Sequence, residues 1–483
     1  MRYRSKHIVL LLAALLVSLL PIGTQLQASP AAHRDNSELD TRLARLPVFT
    51  TIAYITAHPD DESGPVIAYL ARALHARVVI LCLTRGEGGQ NLTGPELDVE
   101  LGWVRTRELE AAAAIYGAEV RFLDAPDFGY SKSVEETLAR WEEPKLLERL
   151  VRALRELKPD VVISRWTPEA SSGAQHQAAG ILAQQAFAAM GTSSAFPEHV
   201  VQGFYLWPAR YFLTHSSSAE EEETLRVPVE EVDASTGKTY EELGWEGLRE
   251  HRSQGLDRSQ FSPGRQYYLR VDARRMLAPE LTHVRELVQP LTALPVVFPA
   301  VGILPAWEER LAEVVALAQA ARTALIAEES AEAALKLVQA AALLNGLRRE
   351  LLSSSSVRDE LATRLSEQQA SAFIGLRLEE FLRAAAAVAG VEFEALADRA
   401  TVTPGKRFWV RLSLRVGALE VFQNVGLEMS ELRLVAPSDW LVEPVAAEVT
   451  PTTQVSEFNV TVPASLNPLA VPRPPLEAEA WLA

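Results

Sequence analysis

One stretch constrains this chain more than any other. The apolar run Ile52-Ala53-Tyr54-Ile55-Thr56 stops at Ala57-His58-Pro59-Asp60-Asp61-Glu62-Ser63-Gly64-Pro65, and apolar residues resume over 66–74. A β-rich run that breaks at a proline-containing acidic turn and then continues reads as strand, turn, helix. The turn sets an imidazole and three carboxylates at the carboxyl end of a strand, where open α/β sheets hold their ligands. His58 with a carboxylate three positions on is a nitrogen/oxygen pair suited to a catalytic zinc, which takes three protein ligands and keeps a position for water. Pro59 stiffens the turn, so Asp60 and Asp61 point in different directions. One can bind metal while the other faces water as a general base. The structural alternative is an acidic cap on a helix N-terminus, which the helix dipole favours.

The Ala-His-Pro-Asp-Asp-Glu stretch resembles the signature of the LmbE-like, or PIG-L, family of zinc-dependent de-N-acetylases, which act on N-acetylglucosaminyl-inositol compounds and related glycoconjugates. The resemblance runs over about residues 50–272. It implies that His58 and Asp61 are zinc ligands and Asp60 the base. It also implies a third ligand at a His-x-Asp-His motif, which reads here Gly173-Ala174-Gln175-His176. His176 keeps the ligand. Gly173 stands where the family has a histidine often assigned to transition-state stabilisation, and Gln175 replaces the aspartate. A glutamine orients through hydrogen bonds and carries no charge. Oxyanion help then falls to zinc or to another donor such as Arg105 or His251, and activity is expected to be low or restricted to a particular substrate.

Residues 50–190 alternate strand and helix, with strands expected over 77–83, 119–123 and 160–164 and helices over 101–116, 145–157 and 177–190. Repeated strand-helix units predict a Rossmann-like, mostly parallel α/β sheet with right-handed crossovers. All the loops that follow its strands then open on one edge. The second loop, Thr84-Arg85-Gly86-Glu87-Gly88-Gly89-Gln90-Asn91, allows close backbone approach to a ligand and is neither a phosphate loop nor a dinucleotide fingerprint. The resemblance makes Glu87 a substrate-binding candidate there. Arg105, within a family-like Arg-x-x-Glu-Leu, either reaches the site or forms a solvated pair with Glu108. In the third loop Asp127 and Tyr130 suit sugar hydroxyls and a ring face. In the fourth, Gln175 joins them as a substrate-side group. His251, in His251-Arg252-Ser253-Gln254, either closes the site or lies on a surface helix.

Beyond this region, residues 201–272 continue the catalytic unit with a strand expected at Phe204-Tyr205-Leu206-Trp207. Residues 276–389 are alanine- and leucine-rich helix, broken once at 353–356, without sustained heptads. From residue 391 the pattern turns to strands such as Phe408-Trp409-Val410-Arg411-Leu412-Ser413-Leu414, predicting a β-sandwich-like, possibly incomplete, domain. The expected organisation is therefore 1–28 signal peptide, 47–272 deacetylase domain, 273–390 helical region and 391–483 β domain. The leader rests on a basic start, an apolar run over 8–20, and Pro21 and Gly23 after it. It predicts a secreted or periplasmic protein with no transmembrane segment after cleavage. Cys82 is the only cysteine among 483 residues, so no intrachain disulfide forms, and its apolar setting marks an inert core thiol. With 47 Lys and Arg against 63 Asp and Glu, the net charge of −16 disfavours nucleic acid as a partner.

The sequence thus points to an exported Zn2+ hydrolase that removes an N-acetyl group from an amino-sugar glycoconjugate, with Asp60 as base and His58, Asp61 and His176 on the metal. The alternatives are a non-catalytic, metal-containing carbohydrate-binding protein and a zinc amidohydrolase acting on another amide.

Overall fold

The computed structural model describes residues 36–170, 172–204, 206–256, 261–275, 278–298, 300–302, 304–354, 361–398, 405–417, 429–435, 440–450, 452–461 and 477–482. The leader expected over 1–28 and Tyr205 lie outside these residues. The chain divides into two compact units, Val48–Pro290 and a second comprising Met1–Pro47 and Leu291–Ala483.

The Val48–Pro290 unit is a seven-stranded, mostly parallel α/β sheet. Its strands are β1 (Thr51–Thr56), β2 (Arg77–Thr84), β3 (Glu119–Ala125), β4 (Val161–Ser164), β5 (Tyr211–Ser216), β6 (Thr224–Val227) and β7 (Tyr267–Arg274), in the order β3-β2-β1-β4-β5-β7-β6. The first five are parallel; β7 runs antiparallel to both β5 and β6. β1 is buried along its whole length, as a run without polar alternation requires of a central strand covered on both faces. The chain leaves β1 toward β2 on one side and returns through β4 on the other. The loops after β1 and β4 therefore diverge at a topological switch point, the place where open α/β sheets bind ligands.

Six helices cover the sheet: α1 (Gly64–Ala68), α2 (Asp98–Tyr116), α3 (Val134–Arg140), α4 (Glu143–Leu157), α5 (Ala174–Met190) and α6 (Tyr240–Leu248). α1 continues as one π-helical turn, Tyr69–Ala73, and α2 stops at Gly117, a left-handed cap. Backbone passes close to backbone where α1 meets α6. A Cβ on Gly244 would collide with the backbone of Pro65, and one on Gly64 with the carbonyl of Gly244. The strand expected at 204–207 does not form in the described residues there. Trp207 instead donates from Nε1 to the carbonyl of Pro159, and the edge of the sheet is continued by β5, whose alternation is hidden because its first four residues are all buried. The unit runs past the expected boundary at 272 because the 3-10 turn Val284–Leu287 buries Val284 and Leu287 in the same core.

In the other unit, three long helices, Trp307–Ile326, Ser330–Ser354 and Leu361–Ala389, carry the alanine-rich sequence. They begin later than residue 276 and are interrupted at 327–329, where Glu328 takes a left-handed conformation; of the break expected at 353–356, Ser353 and Ser354 are helical and residues 355–356 lie outside the described residues. Strands β8 (Val391–Ala397), β9 (Arg407–Val416), β11 (Leu441–Val449) and β12 (Thr453–Thr461) form an antiparallel sheet in the order β11-β12-β9-β8, while β10 (Met429–Val435) pairs with β13 (Glu477–Leu482). No helix among the described residues is long and apolar enough to cross a membrane.

Candidate active site

The β1 turn and the start of α5 bring His58, Asp61 and His176 together. One ligand atom from each lies within 4.8 Å of the others. His58 Nδ1 is 3.2 Å from Asp61 Oδ2, and His176 Nε2 is 3.2 Å from Asp61 Oδ1. The Asp61 carboxylate is also fixed from behind, since its Oδ2 accepts from the His58 N–H at 2.8 Å and from Thr56 Oγ1 at 3.3 Å.

The outer nitrogens of both imidazoles are engaged, and for His58 this places a proton. Gln175 donates its amide nitrogen to Asp127 Oδ1 at 3.0 Å and to the Gly129 carbonyl at 2.6 Å, so its oxygen must face His58. Gln175 Oε1 lies 3.0 Å from His58 Nε2, which therefore carries a proton, while Nδ1 faces Asp61. His176 Nδ1 pairs with Ser172 Oγ at 2.7 Å, and the His176 ring stacks on Trp166 with centroids 4.0 Å apart. Two imidazole nitrogens and a carboxylate, each held by an outer partner, are a donor set that fits a zinc-type cation with an open position. Burial works against a charged His58, but the Asp61 carboxylate outweighs it and lifts the imidazole to about 9. Burial likewise opposes ionisation of Asp61, and the two histidines nevertheless hold it well below the usual carboxylate range.

Asp60 sits beside this cluster in a conformation rare for a non-glycine residue, φ 95°. Such positions are held only where their surroundings over-determine them. Here the Asp60 N–H donates to Glu62 Oε2 at 3.0 Å, and Asp60 Oδ1 accepts from Arg105 Nη2 at 2.9 Å. Arg105 is 3 % exposed and also donates to the carbonyls of Gly86 and Pro59, which ties the β1 and β2 loops together. Burial pushes the Asp60 carboxyl up to about 6 in spite of Arg105.

The other residues singled out from sequence take internal partners. Glu87 accepts from the N–H groups of Arg85 and Asp127, joining the second loop to the third. Glu108 does not pair with Arg105; its carboxylate holds the N–H and hydroxyl of Ser253. His251 is 0 % exposed and its Nε2 lies 2.7 Å from Glu62 Oε1, which also accepts from Tyr116 Oη. His251 is therefore not on a surface helix: it props the signature turn from below. Burial opposes its charge, and Glu62 raises its pKa all the same. Of the substrate-side candidates, Asp127 faces Gln175 and the Gly129 N–H, and Tyr130 is 77 % exposed at the rim. Gly173, the α5 N-cap, has φ 142° and ψ 156°, a region essentially confined to glycine.

Sequence reasoning passed over Trp166, Ser172, Arg165 and the Tyr54–His215 pair. Arg165 donates from Nε to the Asp61 carbonyl at 2.7 Å, and its guanidinium lies 4.4 Å from the Trp166 ring centre. Their one sequence signal was position, in or beside loops at the carboxyl edge of the sheet. Trp166, Ser172, Arg165 and His215, with Asp60 and Asp61, line a cleft of about 880 Å³.

The family described as GlcNAc-PI de-N-acetylase, PIG-L, matches residues 53–187. The chain is 31% identical over 216 residues to 1D-myo-inositol 2-acetamido-2-deoxy-alpha-D-glucopyranoside deacetylase 2 of Frankia casuarinae, covering 40% of this chain and 67% of that one. To the 1D-myo-inositol 2-acetamido-2-deoxy-alpha-D-glucopyranoside deacetylase of Kineococcus radiotolerans it is 33% identical over 169 residues, 30% of this chain and 46% of that one. Among solved structures it is similar to N,N'-diacetylchitobiose deacetylase from Pyrococcus horikoshii, with 21% identity and a TM-score of 0.34 over 44% of this chain and 72% of that one. The signature turn, the donor set it forms with His176, and a match over two thirds of the Frankia enzyme agree: this chain belongs to the PIG-L family of deacetylases.

Proposed function

We propose that the chain is a zinc-dependent hydrolase that removes the N-acetyl group from an N-acetylglucosamine-type glycoconjugate. The observation that carries this reading is the meeting of His58, Asp61 and His176, from two loops at the switch point, beside a carboxylate that is not among them. His58 Nδ1, Asp61 and His176 Nε2 would hold the ion. When bound, zinc supplies Lewis acidity toward an amide oxygen and acidifies water.

The remaining work belongs to the chain. Asp60 takes a proton from the attacking water as its oxygen bonds to the acetyl carbon. It then returns that proton to the sugar nitrogen as the C–N bond breaks, giving acetate and a free amine. Arg105 positions the Asp60 carboxylate and keeps it from rotating toward the ligand cluster. Gln175 and Ser172 hold the imidazoles in the orientation that turns their inner nitrogens toward Asp61.

The test is metal content and acetate release from N-acetylglucosamine derivatives, with and without chelator. Chelation should abolish release and zinc should restore it. Asp60→Asn should lower kcat by about 100-fold or more while retaining the metal; an unchanged kcat removes Asp60 from the role.

A further inference from the structure

The cleft reaches well past the ligand cluster. One end is formed by the β1 and β4 loops and the other by the ends of β5 and β7 with α6. Its volume, about 880 Å³, is near the upper limit for sites that enclose a drug-sized ligand, roughly 300–1,000 Å³. A single N-acetylated sugar leaves much of that space unfilled. Trp166, Trp245, Tyr267 and Tyr268 supply aromatic walls of the kind that take the faces of sugar rings.

The charge along this cleft is uneven in a way the overall charge of −16 does not predict. The carboxylates at the ligand end are spoken for: Asp61 by the two histidines, Asp60 by Arg105 and Glu62 by His251. Two guanidinium groups line the cleft as well, and among the described residues neither has a carboxylate partner. Arg165 makes a backbone bond to Asp61 and lies over Trp166; Arg265 is exposed and lies 5.6 Å from the Tyr267 ring centre. The exposed Glu169 is the other acidic residue on the lining, and it pairs with neither arginine.

His215 lines the same cleft as these two arginines. Tyr54 Oη accepts from the Ser63 N–H at 3.0 Å and lies 2.8 Å from His215 Nε2, so the phenol and the ring are hydrogen-bonded to each other. Burial first, then the Arg165 and Arg265 guanidinium charges, drive the His215 pKa well below its usual value. The wall therefore presents two cations and a neutral imidazole, and among the described residues no carboxylate pairs with either cation.

We propose that this wall is a subsite for an anionic group, a phosphate or a carboxylate, carried by the part of the substrate beyond the N-acetylated sugar, with Arg165 and Arg265 as its charge partners. Guanidinium forks match both groups, and such bonds are the strong class of hydrogen bond. The inference rests on the amide-hydrolase reading for what the rest of the substrate is, and its binding test is independent of turnover.

Calorimetry on the full chain, zinc-loaded, compares three probes: methyl N-acetylglucosaminide, N-acetylglucosamine 1-phosphate, and the N-acetylglucosaminide of glycolic acid. At least one charged probe should bind about tenfold tighter than the methyl glycoside, and which one does so names the group. Arg265→Gln, at an exposed position, should reduce that advantage about fivefold or more, and Arg165→Lys should reduce it as well. Arg121→Gln, on β3 away from the cleft and paired with Glu156, is the control for bulk charge. Equal binding of all three probes overturns the proposal, as does an advantage that Arg121→Gln lowers as much as Arg265→Gln. Preferential binding without acetate release sinks the hydrolytic reading and leaves the subsite standing; acetate release without charge preference does the reverse.

Discussion

Gln175 shows how much one amide can decide. Its two ends differ chemically, and because the nitrogen end is spent on Asp127 and Gly129 the oxygen end must take the proton of His58. Gln175→Ala should raise the dissociation constant for zinc by about 10–100-fold, read by chelator competition, with the fold intact by circular dichroism. Gly173 decides something by its backbone instead. At φ 142° and ψ 156° a side chain is strained whatever space surrounds it, and an added Cβ would lie 3.6 Å from Tyr130. Gly173→His should therefore cost about 1–3 kcal/mol in chemical denaturation without raising acetate release. The family resemblance supplies His58, Asp61 and His176 as a ligand set, and the strand-helix alternation puts their loops on one sheet edge, where the three do meet. Neither discloses where Glu87, Gln175 or His251 spend their polar atoms. Those partners are 40, 117 and 189 residues distant, and no local pattern encodes them.

The elements were legible in proportion to their periodicity. α4 and the largely apolar β1 and β2 announce themselves, whereas β6 and β7 carry polar residues on the antiparallel side of the sheet and are not among the elements expected from the sequence. What periodicity misses most is close approach. The signature turn is aimed by α1, and α1 is located by α6 through a contact that two glycines allow. Gly244→Ala should force these helices apart, destabilise the chain by about 1–3 kcal/mol, and weaken metal binding along with it. If denaturation and metal affinity are both unchanged, the turn is not held by this contact.

At the scale of the molecule, the Val48–Pro290 unit encloses every residue of the site. Expressed alone, residues 48–290 should unfold in one cooperative transition and bind zinc as the full chain does; a non-cooperative melt would show that the unit depends on the rest. Its two ends meet. Val48 bridges Pro290, and the Phe49 N–H donates to the Gln289 carbonyl at 3.0 Å. The helix Asn36–Arg45 meanwhile belongs with the later helices, Asp40 accepting from Arg322 across 282 positions. During synthesis that helix leaves the ribosome early yet must wait for its companions, while everything between them can complete itself first. The Val48–Pro290 unit is in this sense a parenthesis within a sentence of helices, whose opening word acquires its meaning only after the parenthesis closes.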